Sequence, residues 1–483
     1  MSSPLTTPAV RTALTGGYVA TNDDLRTEHT RGYVVLDGHQ LVAVGSGPLP
    51  AEHADAAVVD VSGCLVTPGL VNTHHHLFQW ITRGWAVDGT LFEWLRTLYP
   101  VWAGLDADLT TTAATGALAW LARSGCTTST DHHYVFPRHG GDLLGAEIAA
   151  ARQVGLRFHP TRGSMDLGVS AGGLPPDDVV EDLDAILAAS EAAIQTHHDP
   201  SPGSMLQIAL APCSPFSVTA ELLTASAELA RRYGVRLHTH LAETSEEDDF
   251  CRDHFGRTPV EYLDSLGWLR PDVWFAHAVH LDDASIARLA ATGTSVAHCP
   301  SSNARLGAGI ARARDLRDAG VAVGLGVDGA ASNEASSLWA EAHHALLFAR
   351  ARGGPQALGV RDALDMATTG GARVLGRQDE IGSLEVGKLA DVAVWRLDGL
   401  GHVDVADPVA ALVLGAQPPL ELLLVNGQRV VERDVVLSVD AEELAADVLT
   451  ASRELASRAG RATSFAPSTP RQAQDRPTSG RVA

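Results

Sequence analysis

The sequence predicts an α/β chain: a (β/α)8 TIM-like barrel carrying a small β-sandwich built from both chain ends. Three observations predict it. First, one unit recurs through the middle of the chain: a helix-like stretch, a glycine, a short apolar run, then polar or ionisable residues. Glycine suits the left-handed position that closes a helix, and a run apolar on both faces suits a parallel strand covered by helices. Second, nearly every apolar run ends in His, Asp, Arg or Cys. A barrel would bring those ends to one mouth, which favours it over the competing doubly wound sheet. Third, the segments outside this region read as hairpins.

The elements follow in order. Residues 1–66 contain YVVL-Asp37-Gly38-HQLVAV, a hairpin signal whose turn dipeptide tolerates positive φ. Residues 67–377 hold the barrel. Its strand candidates are LVTPGLVN (65–72), CTTSTDHH after Gly125, LRFHPTRG after Gly155, MLQIALAP (205–212), VRLHTHLAE after Gly234, DVWFAHAV (272–279), TSVAHCPSSN after Gly293 and VAVGLGVDG after Gly320. Residues 378–439 return to the sandwich through the alternating stretch GSLEVGKLADVAVW (382–395) and the hairpin LLLV-Asn426-Gly427-QRVV. A terminal helix is expected over 440–460. A disordered tail rich in Pro, Ser, Thr, Arg and Gln is expected over 461–483.

Composition narrows the function. The net charge of −22 argues against a nucleic-acid or anionic-membrane partner. The five cysteines are widely spaced with no CxxC, as in a reduced, cytoplasmic protein. MSSPLTTPAVRTAL has no apolar core of a signal peptide, and no window reaches the length of a membrane span. Lys388 is the only lysine. That excludes a Walker A lysine, an earlier Schiff-base lysine, and a carbamylated lysine bridging two metals. One metal is therefore favoured over two.

The chemistry-bearing residues lie at strand ends. His74 and His76 share a face at i and i+2, and two imidazoles so placed can chelate one divalent ion. His240 ends the fifth strand, with Glu243 three residues on as a carboxylate free to move protons. His238 shares the face of His240 and competes for the ligand role, although the mouth lies at the C-terminal end, which favours His240. Asp328 ends the eighth run, where an unpaired buried carboxylate would cost several kcal/mol. His277 is placed to polarise a substrate or orient a metal-bound water, and His298 to support the site. Three neutral histidines and an aspartate suit Zn²⁺ or Fe²⁺ with one position left for water. Such a centre hydrolyses or deaminates an electrophilic carbon. Gln79, Arg162 and Cys213 are the substrate-binding candidates. The aromatic-rich stretch 78–102 could wall a pocket, pack against a second subunit or simply fill core.

TPGLVNTHHH, HTHLAE, AHAVHL, HCPSSN and GLGVDGAASN, in that order, resemble the amidohydrolase superfamily, in its aminohydrolase/chlorohydrolase branch. NTHHHLFQ, SGCTTSTDHHY, RFHPTRGSM, GGLPPDDVVE and APCSPFS look most like the 8-oxoguanine deaminases of that branch. The resemblance implies a mononuclear metal on His74, His76, His240 and Asp328. It makes Glu243 the proton shuttle, His277 a polarising group and Asp328 a proton acceptor as well as a ligand. Water would add at C2 of 8-oxoguanine, Glu243 would protonate N3, and ammonia would leave to give urate. The implied partner is a small heterocycle, and the implied assembly a homo-oligomer, dimer or larger. Guanine, a pterin or an s-triazine is the alternative substrate. A catalytically silent scaffold on the same fold is the alternative class, and it has no need to keep both the ligand set and Glu243.

Overall fold

The computed structural model describes residues 11–461. The expected tail beyond Arg461 and the first ten residues lie outside the described residues. Eight parallel strands close a barrel in the order β1 to β8 and back to β1. They are β1 (Leu70–Asn72), β2 (Cys126–His133), β3 (Arg157–Ser164), β4 (Ala209–Pro212), β5 (Leu237–Leu241), β6 (Val273–His277), β7 (Ser295–His298) and β8 (Val323–Leu325). Helices on the outside connect them, as right-handed crossovers require. The helix Ala220–Tyr233 illustrates the unit. Thr219 caps its first turn, and Gly234 closes it at φ 67° before the chain enters β5.

Two further sheets stand outside the barrel. One has four strands, Gln40–Ser46, Gly32–Asp37, Thr12–Thr15 and Ala57–Asp60. The other has seven, in the order Val435–Val436, Gln428–Glu432, Leu420–Val425, Val392–Arg396, Cys64–Pro68, Tyr18–Ala20 and Glu28–His29. Alternation explains the packing. Leu14, Val34, Leu36, Val66, Val392, Val394, Leu422 and Leu424 meet between the two sheets. The opposite faces of the same strands, Leu65, Ala393, Trp395, Leu420 and Leu423, join the core of the barrel. Both expected hairpins form, with Asp37 opposite Gln40 and Val425 opposite Gln428. At the second turn Asn426 and Gly427 both have positive φ, 52° and 75°, the geometry that a two-residue turn demands.

Two strand expectations are corrected. The run 65–72 is two strands, because Cys64–Pro68 belongs to the seven-stranded sheet and only Leu70–Asn72 enters the barrel. The break falls at Gly69, where an added Cβ would lie 2.1 Å from Thr127 Cγ2. The stretch 382–395 is strand only from Val392, since Gly382 and Gly387 at φ 91° and 92° turn the chain before it. The helix Ala441–Arg458 packs Ala451 and Leu455 into the main core.

Barrel and sheets are tied by one buried ion pair. Arg157 at the start of β3 donates from Nε and Nη2 to the two oxygens of Asp391, at 3.2 and 3.1 Å. Its Nη1 donates to Gly203 O and Ser204 O, and Asp391 also accepts the amide of Asn426 at 2.7 Å. Removing one partner strands the other charge in the interior. Asp391→Asn is therefore expected to cost ~3–5 kcal/mol of unfolding free energy. Urea unfolding checks this, and a midpoint equal to wild type would show that the pair is dispensable.

Candidate metal centre

The mouth of the barrel is lined by histidines whose tautomers can be read from their partners. His76 donates from Nδ1 to His132 O at 2.8 Å, and His240 from Nδ1 to Cys213 O at 2.6 Å. His238 donates from Nδ1 to Trp274 O at 2.8 Å, which leaves its Nε2 to accept from Nδ1 of His74, also at 2.8 Å. Each of His74, His76 and His240 therefore turns an Nε2 lone pair inward. Both ring nitrogens of His238 are therefore engaged, whereas His240 spends only Nδ1 on a carbonyl.

These lone pairs meet other acceptors. His76 Nε2 lies 3.1 Å from His240 Nε2, and Asp328 Oδ1 lies 3.3 Å from His74 Nε2 and 3.2 Å from His76 Nε2. Facing acceptors at such separations fit the edges of a tetrahedron around one ion bonded at ~2.0–2.2 Å. The four residues thus suit a divalent cation, and the carbonyls that orient His76 and His240 and the imidazole that orients His74 are the kind of outer partner that metal-bound histidines keep. Asp328 is brought to this place by its own short ladder, pairing with His75 while Gly329 pairs with His76. His75 points away, its Nδ1 accepting the amide of His76.

Electrostatics agree with neutral imidazoles. Burial holds His74 and His240 well below the usual histidine range. For Asp328, burial opposes ionisation, but contacts with His74 and His76 outweigh it and keep the carboxyl well below the usual range. Burial and the nearby charge of Asp328 push Glu243 well above it, so this carboxyl readily accepts a proton. Glu243 Oε2 lies 3.5 Å from His277 Nε2, and His277 donates from Nδ1 to Asn303 Oδ1 at 2.9 Å. Ala242, His277 and Asp328 all have positive φ, 51°, 73° and 62°, so the chain is strained at three of the positions that shape the site.

Beside the histidines is a cavity of about 30 Å³. His76, Tyr134, His240, Glu243, His277 and Asp328 form its polar side, with Cys213 and Ser214 at its edge. Phe216 and Leu306 lie on its apolar side, which is formed mainly by Leu91, Trp94, Leu95 and Tyr99. These four come from the helix Leu91–Trp102, which begins where Glu93 accepts the amide of Thr90 at 3.0 Å. Their i, i+3, i+4 spacing puts one face over the histidines, and Trp94 Nε1 anchors to Ala331 O at 3.0 Å. Part of the aromatic-rich stretch therefore walls the cavity, while Phe78, Trp80 and Trp102 fill core.

The other substrate-binding candidates divide. Cys213 lies on the cavity wall. Gln79 is fully buried, packed so closely on Gly329 that an added Cβ there would sit 1.8 Å from its Oε1. Neither amide atom of Gln79 has a hydrogen-bond partner among the described residues. Arg162 is placed elsewhere. It pairs with both oxygens of Glu181 at 2.7 and 2.9 Å, lies over Phe136, and lines an open cleft on the flank of the barrel. A loop carboxylate thus takes up the charge expected to hold a substrate carbonyl.

Sequence reading missed His132, whose ring stacks on His240 at 4.6 Å and whose Nδ1 has no partner among the described residues. Its position in TDHH at the end of β2 was the available signal. A second buried group, Asp131, His133 and Glu147, also clusters. There His133 Nδ1 and Glu147 Oε1 are 2.7 Å apart, a hydrogen-bond length too short for two ligands of one ion.

A barrel whose mouth gathers three inward-facing imidazoles, an aspartate and a buried glutamate defines a metal-dependent hydrolase. The amidohydrolase family model matches residues 65–430, and the chain belongs to that family. It is 49% identical over 398 residues to 8-oxoguanine deaminase of Pseudomonas aeruginosa, covering 82% of this chain and 88% of that one. It is 38% identical to an isoxanthopterin deaminase of an unknown prokaryotic organism, covering 92% and 95%. Among solved structures, zinc-bound atrazine chlorohydrolase from Arthrobacter aurescens superposes with a TM-score of 0.87 at 34% identity, covering 91% and 99%. No helix among the described residues is long and apolar enough to cross a membrane.

Proposed function

We propose that this chain deaminates 8-oxoguanine hydrolytically to urate and ammonia, using one zinc ion held by His74, His76, His240 and Asp328. The observation that carries the metal centre is the placing of Asp328 Oδ1 within 3.3 Å of Nε2 of both His74 and His76, with His240 Nε2 only 3.1 Å from His76 Nε2. A divalent ion in this place supplies Lewis acidity and lowers the pKa of a bound water to about 7. The remaining steps belong to the protein. Glu243 takes the water proton and delivers it to N3 as oxygen adds at C2. His277, held by Asn303, polarises the reacting group, and Asp328 passes the second proton to the departing amine. The helix Leu91–Trp102 covers a flat ring and limits bulk water, and the unpartnered amide of Gln79 offers a donor and an acceptor to a purine edge. The choice of 8-oxoguanine is supported by the 49% identity to a deaminase of that base.

The test is ammonia release from 8-oxoguanine, guanine, isoxanthopterin and an aminotriazine by protein of measured zinc content. We expect 8-oxoguanine to lead in kcat/KM by about tenfold or more, as differential pocket contacts allow. Equal or faster ammonia release from guanine, isoxanthopterin or the aminotriazine would overturn the substrate assignment and leave the metal centre standing.

A further inference from the structure

We propose that Glu247 is the positioning residue of Glu243: its carboxylate clamps the bend that aims the shuttle at the metal centre. This rests on the shuttle reading above and adds a residue to it. Glu247 is the third residue of the helix Ser245–Phe255 and is fully buried. Its Oε1 accepts the amide of Ala242 at 2.9 Å and its Oε2 the amide of Glu243 at 3.0 Å. A glutamate at this helical position ordinarily reaches back to the residue just before the helix. Here that residue is Thr244, and the carboxylate passes it to hold the two residues before.

Those two residues need holding. Ala242 sits at φ 51°, a conformation an alanine does not take without support. Its carbonyl accepts the amides of Val279 and His280, each at 2.9 Å, so the bend is fastened on one side to the loop after β6. Glu247 fastens the other side. Between these anchors the side chain of Glu243 reaches to within 3.5 Å of His277 Nε2. Two amides aimed at two oxygens of one carboxylate set the peptide planes on both sides of the Ala242 Cα, and so the direction in which Glu243 leaves the chain.

Glu247→Gln is nearly isosteric but puts an NH2 group against one of the two amides. In the zinc-loaded full chain we expect kcat to fall about 10–100-fold, with KM and zinc content within about twofold of wild type. In the Glu243→Gln background the same change should cause no further loss, because the group it positions is already gone. Hydrogen exchange at the Glu243 amide should accelerate in Glu247→Gln, whatever the substrate. If the variant does not fold, Ala242→Gly combined with Glu247→Gln relieves the strained φ and takes the same measurements. Unchanged kcat, or an equal loss on top of Glu243→Gln, overturns the proposal. So does rapid exchange of the Ala242 and Glu243 amides in the wild type, which needs no variant. Inactivity of the wild type on 8-oxoguanine would count against the substrate instead, and full turnover by Glu243→Gln against the shuttle.

Discussion

Glu243→Gln should keep its zinc and lose ~10²–10⁴-fold in kcat, the span that a positioned general acid–base contributes. The side chain stands on the cavity wall, 3.5 Å from His277 Nε2, and burial with the Asp328 charge raises its proton affinity. A glutamine fills the same volume and keeps a carbonyl oxygen, so it preserves packing. It cannot carry a proton from water to a ring nitrogen. The loss should therefore appear in kcat, with KM changed little, because the interaction removed is made only as the proton moves. Metal analysis run beside the kinetics separates this from collapse of the centre. Wild-type turnover in a zinc-replete variant would end the assignment of Glu243 as shuttle.

His240→Ala should lose both tightly bound metal and activity, whereas His238→Ala should retain the metal with ~10–100-fold weaker affinity. The two histidines share a strand face and differ by one turn of the pleat, yet their partners separate them. His240 spends Nδ1 on Cys213 O and keeps Nε2 for the centre, while His238 spends both nitrogens, on Trp274 O and on His74. Chelator titration of each variant, followed by zinc add-back, reads the difference. Chelated wild type should be inactive and regain activity with one equivalent of zinc. Equal metal affinity in His240→Ala and wild type would remove His240 from the ligand set.

Much of the barrel was legible because helix, glycine, apolar run and polar end repeat, and because most strand ends carry a residue that a core would otherwise reject. His74, His76, His240, Glu243 and Asp328 were picked out by type and parity, and the fold gathers them at one mouth. What stayed hidden depends on partners distant in sequence. Nothing local shows that Glu181 captures Arg162 or that Asn303 fixes His277. The split at Gly69 was masked because both strands beside it are apolar, and only the closeness of Thr127 shows why the chain breaks there. The choice between His238 and His240 needed tautomers, which follow from carbonyls on neighbouring strands.

Those carbonyls have a wider consequence. His76, His240 and His238 are oriented by the main-chain oxygens of residues 132, 213 and 274, which no substitution at those positions deletes. The apolar cavity wall, by contrast, comes largely from side chains of a single helix outside the barrel strands. The instrument and its aperture are thus separately adjustable. Mutational drift can recut the opening for a new ring while the catalytic hardware, bolted to the strand backbone, stays in register.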